Sequence, residues 1–337
     1  MKKTTYVLLA LGTVLTGLLC LCVGSVNLPL EHTVTVLWNA LWGLPVPEGM
    51  GKAILLGVRL PRVLCVALTG AALSLCGCAM QGLLRNPLAD GSTLGVSSGA
   101  SLGACIAIAF GVSVPGLPLA GPMGMAMLFA LGSLLLILSL AYRLDRSLAT
   151  NTIILTGVIF SMFVSALMSL VITFAGERVK TITFWTMGSL ASATLTDALA
   201  LGAALLLCGA LLLAHARELN AFAIGEDNAR HVGVDVRRVK LIVLVCCSAL
   251  IGVCVSIGGS IGFVGLVTPH MTRMLVGPNH RRLLPASLFA GAIFLLLADL
   301  AARVLLSPLE LPIGVVTSLI GSVAFVAIFD RTRKAKP

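Results

Sequence analysis

An all-α, polytopic membrane protein of about ten spans is the fold class this sequence predicts, on three observations. Only 11% of the 337 residues are charged while 58% are hydrophobic, against roughly 25% charged in soluble domains. The apolar runs reach the ~20 residues needed to cross a bilayer. Basic residues gather in alternate connections, as they do on the cytoplasmic side of membrane proteins. The 35 glycines and 14 prolines fall inside apolar runs, where small residues let membrane helices approach closely.

Taken in order, the spans are expected at roughly 5–26, 61–82, 93–111, 120–141, 152–174, 194–214, 240–258, 261–276, 284–304 and 312–329. The third and eighth are short and glycine-rich. Lys2-Lys3 followed by an apolar run to Val26 has the outline of a signal peptide. The run is longer than a usual h-region and further spans follow, so an uncleaved first helix is expected. With both termini inside, 17 of the 23 lysines and arginines fall in cytoplasmic segments. The outer segments then hold only Lys52, Arg59, Arg62, Arg178, Lys180 and Arg303. That asymmetry predicts the orientation. It also accounts for the net charge of +10 without a nucleic-acid partner.

In the first outer connection, Trp38 and Trp42 lie four apart and share one face of a helix resting at the membrane surface. Trp185 gives the stretch 176–190 a similar character. The longest inner connection, 217–240, reads RELNAFAIGEDNARHVGVDVRRVK and is too polar to cross. Gly225 and Gly233 punctuate it, and Glu226 and Asp227 stand where acids favour a helix start. Ala223, Ile224, Ala229 and Val232 could form an apolar face. Two readings stay open, a solvated helical loop and a docking surface for a cytoplasmic partner.

Polar residues inside the spans are expected to be satisfied within the protein. Gln81, Asn86 and His270 should make hydrogen bonds between helices, and Arg303, four residues after Asp299, should pair with it. The ten cysteines lie mostly in apolar runs and read as small packing residues. They form no disulfide framework and no zinc spacing with histidine, so neither a metal site nor a resident cofactor is expected. No GxxxxGK[ST] loop occurs, which argues against nucleotide binding by a P-loop. A weak internal echo relates the turn ending Ser98-Gly99-Ala100 to the one leading to Ala290-Gly291-Ala292.

Four blocks resemble the FecCD family, the membrane subunits of ABC importers for iron-siderophores, haem and cobalamin. They are RLPRVLCVALTGAALSLCGCAMQGLLRNPLADGSTLGVSSGA (Arg59–Ala100), LNAFAIGEDNARHVGV (Leu219–Val234), GGSIGFVGLVTPHMTRMLVGPNHRRLLP (Gly258–Pro285) and ADLAARVLLSPLELPIGVVTSLIGSVAF (Ala298–Phe325). They come in the family's order and spacing and cover nearly the whole chain. Gly91 departs from the family's usual proline, and Asn279 from its frequent aspartate.

The resemblance implies one permease domain over 1–337 with the type II ABC importer fold. Such a subunit pairs with a second copy, as a homodimer, or with a close paralogue around a central path. Two cytoplasmic ABC ATPase subunits drive it, and an extracytoplasmic substrate-binding protein delivers cargo. ATPase coupling is implied for the loop 217–240, at Leu219, Ala223, Gly225, Glu226, Asp227, Arg230 and Gly233. Arg59, Arg62 and Arg303 match positions that receive glutamates of the binding protein, for which the planar guanidinium fork is suited; headgroup anchoring is the alternative. Thr150 and Asn151 match small polar gate residues. The expected activity is uptake of an iron(III)-siderophore across the bacterial inner membrane, with cobalamin or haem as alternative cargo. The chain has no catalytic residue of its own, since ATP hydrolysis belongs to another polypeptide. A secondary transporter driven by an ion gradient would favour acids deep in several spans, where Asp299 is nearly alone. An intramembrane enzyme would need a nucleophile–base or metal constellation, and His270 lacks an evident partner.

Overall fold

The computed structural model describes residues 3–24, 29–45, 52–91, 94–114, 120–146 and 148–334, and among them every regular element is a helix. In chain order the α-helices are α1 (Lys3–Cys22), α2 (Leu30–Leu41), α3 (Leu60–Leu83), α4 (Val96–Phe110), α5 (Ala120–Leu144), α6 (Thr150–Phe174), α7 (Val179–Thr186), α8 (Leu195–Ala214), α9 (Ala216–Phe222), α10 (Glu226–His231), α11 (Val236–Gly258), α12 (Val264–Val276), α13 (His280–Val304) and α14 (Ile313–Lys334). The ten expected spans coincide with α1, α3, α4, α5, α6, α8 and α11 to α14. Seven of these are long and apolar enough to cross a membrane.

The short spans have a structural reason. At 1.5 Å per residue, α4 and α12 cover only about 20 Å of a hydrocarbon core of ~30 Å. Irregular backbone precedes each: the turn after α3, and residues 259–263 before α12. Asp90 and Gly91 from the first segment and Gly259 to Phe263 from the second meet mid-helix residues of α3, among them Thr69 and Cys76, around a cavity of about 60 Å³. Irregular backbone at membrane depth is tolerated where it is enclosed by protein in this way.

The second span begins earlier than hydropathy suggests. A π-helical stretch, Ala53–Arg59, runs directly into α3 and makes 31 continuous residues. The widened turns lie just before Pro61, whose missing amide interrupts the ordinary i→i−4 ladder.

α3 is the axis of the subunit. Of its most apolar stretch 78% is buried, against 11% for α1 and 22% for α6 and α8. It packs most extensively against α13 and also contacts α8, α11 and α12. The close approach rests on glycine: a Cβ at Gly70 would collide with the Gly291 carbonyl, and one at Gly291 with the Gly70 carbonyl. Gly77 meets Gly265 of α12 in the same way. Nearby, the Thr268 hydroxyl donates to Ser74 Oγ at 2.7 Å, joining α12 to α3.

Other expectations meet mixed outcomes. All ten cysteines are free, eight of them buried, as packing residues should be. Trp38 and Trp42 are exposed on one face of α2 and its end, ring centroids 5.8 Å apart. Trp185 in α7 instead packs partly onto the core, and the backbone that follows α7 is tied down. Ser189 N–H donates to the Gly258 carbonyl at 2.8 Å and Ile313 N–H to the Gly188 carbonyl at 3.1 Å.

Replacing Gly291 by valine should force α3 and α13 apart. A melting curve of the purified protein in detergent should then show a loss of about 1–3 kcal/mol, typical of overpacking. Gly132→Ala, where a Cβ meets nothing within 4 Å, should leave the curve unchanged.

Candidate functional site

Two polar constellations sit at opposite ends of the α3–α13 pair. At the end where α3 begins and α13 finishes, Asp299 is 1% exposed and lies between two arginines. Arg62 Nη2 is 2.9 Å from Asp299 Oδ1, and Arg303 Nε is 3.1 Å from Oδ2. The pairing expected within α13 is therefore made, and it is shared with α3. Arg62 Nη1 also reaches Glu310 Oε2 at 2.8 Å, in the connection after α13.

Arg59 and Arg303 complete the cluster by a second route. Arg59 Nη1 donates to the carbonyls of Leu21 at 2.7 Å and Cys22 at 3.0 Å. Arg303 donates to the carbonyls of Cys20 and Val23, each at 3.1 Å. A helix ends with carbonyls that have no partner in the helix and with partial negative charge. These two cations supply both needs for α1. The three arginines expected to face a partner are thus together but buried, with donors used inside the subunit.

At the other end, α9 and α10 form a short hairpin built on glycine. Gly225, at φ +116°, turns the chain into α10, and Gly233, at φ +88°, leaves it, conformations open to glycine at little cost. Leu219 and Ala229 are buried under the hairpin, whereas Ala223, Ile224 and Val232 are exposed. Only Ala229 of the expected apolar face therefore turns inward. Ile224 and Val232, 60% and 66% exposed, stand as apolar knobs on the surface. Asp227 is exposed and pairs with Arg230 at 3.7 Å.

Glu226 does more than start α10. It pairs with Lys240 Nζ of α11 at 2.8 Å and accepts the Thr150 hydroxyl at 2.7 Å. Thr150 and Asn151 begin α6 and, with Arg85 and α10, line a cleft of about 730 Å³. The structure thus brings the expected gate residues beside the expected coupling residues.

A further lock holds the hairpin to α13. Asn279 caps α13, accepting from Arg281 N–H at 3.0 Å, so the amide fills the role of a capping acid. Its Oδ1 also accepts from Asn220 Nδ2 at 3.0 Å, and Asn220 Oδ1 accepts from His280 N–H at 2.8 Å.

Of the three polar residues expected to join helices, Gln81 does so. Its Nε2 donates to the carbonyls of Gly265 and Leu266, and its Oε1 accepts from Arg273 at 3.1 Å. Asn86 instead makes a local turn, accepting from Leu88 N–H at 2.9 Å, because it lies past the end of α3. His270 Nδ1 is buried without a partner among the described residues. Lys240, Glu310, Asn220 and His280 carry contacts that sequence reasoning did not single out. Lys240 had a visible signal, a lysine inside the apolar register of α11.

The FecCD transport family model matches residues 12–331, and the chain belongs to that family. It is 41% identical over 96% of its length to an uncharacterized ABC transporter permease, YvrB, of Bacillus subtilis, of which 91% is covered. It is 37% identical to HmuU, the hemin transport system permease of Yersinia pestis, over 97% of each chain. A solved ABC transporter assigned to the metal-chelate type, in an inward-facing conformation, superposes with a TM-score of 0.85 at 34% identity, covering 98% of this chain and 100% of that one. The protein is accordingly a membrane permease of an ABC importer of FecCD type, with the type II importer fold.

Asp299→Asn should leave Arg62 and Arg303 without their buried counter-charge and destabilise the protein by about 3–5 kcal/mol, measured as lost thermal stability in detergent. Glu310→Gln, whose side chain is 36% exposed, should cost less than about 1 kcal/mol.

Proposed function

We propose that this permease moves a bulky metal chelate inward, an iron(III)-siderophore complex in the first instance, through a path between two copies of the chain. The reading rests on the cleft where α10 meets the foot of α6, since it joins a partner-facing surface to a residue pair suited to gating. Relatives at similar identity are described as hemin and vitamin B12 permeases, so haem and cobalamin are the alternative cargo. One at 37% identity is described as a molybdate permease.

In this scheme α9 and α10 face the cytoplasm, both termini lie on that side, and the protein sits in the bacterial inner membrane. The exposed Ile224 and Val232 offer apolar contact to an ABC ATPase subunit. Leu219, Ala223, Gly225, Gly233 and the Asp227–Arg230 pair shape and flank that contact. Thr150 and Asn151 form the inner gate. Chemistry stays with the ATPase.

At the outer end, the region of Arg59, Arg62 and Arg303 receives acidic side chains of a substrate-binding protein. Because Arg62 already holds Glu310, a partner carboxylate would take the place of Glu310. An ion-gradient mechanism finds less support, as Asp299 is committed to two arginines.

Tagged protein purified from its native membrane in mild detergent should bring an ATPase subunit in about equal amount, and Ile224→Glu with Val232→Glu should abolish that association without lowering thermal stability. Uptake on an ion gradient by the chain alone, without ATP, would overturn the reading. For the outer end, Glu310→Gln should tighten capture of the binding protein at low salt, where charge contacts are strongest; unchanged affinity would remove Arg62 from the docking surface.

A further inference from the structure

Lys240 is fully buried, yet it sits near the start of α11 on the side where the chain connects to the polar hairpin. Burying an ammonium group is costly unless it is paired and hydrogen-bonded. Here the group finds two partners from different parts of the chain. Nζ lies 2.8 Å from the Glu226 carboxylate and donates to the Leu148 carbonyl, also at 2.8 Å.

Leu148 is itself unusual. Its φ is +52°, a left-handed conformation rarely taken by a branched side chain, and it is buried at 3% exposure. The turn around it is closed by Asp145, whose carbonyl accepts from Leu148 N–H at 3.0 Å and whose Oδ2 accepts from Ala149 N–H at 3.0 Å. Two residues later, the Thr150 hydroxyl returns to Glu226 Oε1 at 2.7 Å. Lys240, Glu226, Thr150 and the Leu148 carbonyl therefore form a closed ring of polar contacts. The ring joins α10, the base of α11 and the foot of α6.

The packing around this ring makes its role specific. α10 packs on α9 and on α11, while an open cleft lies between it and the foot of α6. What spans the cleft is the Glu226 side chain, held in place by Lys240. A methionine at position 240 would fill the same buried space without charge, so stability alone does not call for lysine.

We propose that Lys240 is a positioning residue that clamps α10 to the turn Leu148–Asn151, so that a displacement of α10 by a partner carries the foot of α6 with it. The proposal deepens the coupling and gating reading above and rests on it. Lys240 touches neither cargo nor partner; it acts by fixing Glu226 between two elements that would otherwise move separately. Coupling between distant sites requires an element whose arrangement both sites bias, and the ring is such an element. The Leu148 carbonyl and Thr150 are its outputs at the foot of α6, and Glu226 is its input on α10.

The test uses the permease with its ATPase, and hydrogen–deuterium exchange read by mass spectrometry, which needs no knowledge of the cargo. In the wild type, trapping the ATPase with ADP and vanadate should change exchange both in Glu226–His231 and in Leu148–Asn151. In Lys240→Met the change should persist in α10 and vanish from Leu148–Asn151, whose basal exchange should rise about tenfold, while α3 and α13 stay protected. Lys240→Arg should restore the wild-type pattern. Thr150→Val keeps Lys240 on both Glu226 and the Leu148 carbonyl and removes only the Thr150–Glu226 link. It should therefore keep a reduced response in Leu148–Asn151, and it tests the clamp even if the lysine variant fails to accumulate, since complete loss there would place the coupling on Thr150 and not on Lys240. A response in Leu148–Asn151 that survives in Lys240→Met, or that is lost altogether in Thr150→Val, would overturn the proposal. If no ATPase accompanies the wild type, the importer reading fails on its own. Basal exchange of the solubilised chain then still decides the clamp, since equal protection of Leu148–Asn151 in wild type and Lys240→Met would refute it.

Discussion

The contact between Gly70 and Gly291 sets the register of the two most intimately packed helices, and both polar constellations follow from that register. α3 and α13 run antiparallel. Eight residues toward the start of α3 from Gly70 stands Arg62, and eight toward the end of α13 from Gly291 stands Asp299. At 1.5 Å per residue both lie about 12 Å from the crossing, which is why they meet. In the opposite direction, Gly82 of α3 lies against the His280 ring at the start of α13. His280 and its neighbour Asn279 hold Asn220 of α9. One close approach of two backbones thus places the ion cluster around Asp299 and the root of the α9–α10 hairpin. Side chains at either glycine would shift both.

The buried charges follow a common logic at the two ends. An arginine or lysine removed from water needs a full set of acceptors, and each set here is assembled from several elements. Arg59 and Arg303 take the free carbonyls at the end of α1, so an otherwise lightly buried helix is fastened to α3 and α13. Arg62 binds α13 and the connection that follows it through Asp299 and Glu310. Lys240 does the same between α11, α10 and the turn before α6. Hydrophobic packing alone specifies adjacency along a membrane bundle only weakly, because lipid is as apolar as the helices. The buried cations supply the missing specificity at the points where elements must keep a fixed relation.

Much of this architecture was legible in the sequence, and the gaps have physical causes. The spans could be read because bilayer thickness imposes a length on apolar runs, and even α4 and α12 stood out as short. The π-helical entry to α3 could not, since hydropathy is blind to the hydrogen-bond pattern within a helix. The Asp299–Arg303 pair was visible from its i,i+4 spacing, whereas Arg62 lies 237 residues from Asp299 and 248 from Glu310 and meets them only through tertiary packing. Arg59, Arg62 and Arg303 were expected to face a binding protein because they match family positions that receive its glutamates, with headgroup anchoring as the alternative. The free carbonyls of α1, which draw Arg59 and Arg303 inward, have no sequence signature. Lys240 was counted among the basic residues of a loop, although α11 begins four residues earlier.

Burial is distributed unevenly, and this bears on how such a subunit can move. α3 and α11 are enclosed, while α5, α6 and α8 bury less than a third of their most apolar stretches within the chain. Thr150 and Asn151 stand at the foot of one of these lightly held helices, and α6 contacts α4 and α5 rather than the α3–α13 axis. A displacement there breaks few packed contacts, so it costs less than the same displacement in the core. The polar ring through Lys240 then matters most at this place. It transmits motion to a part of the bundle free enough to respond, while the glycine-locked axis beside it stays still and gives that motion a reference.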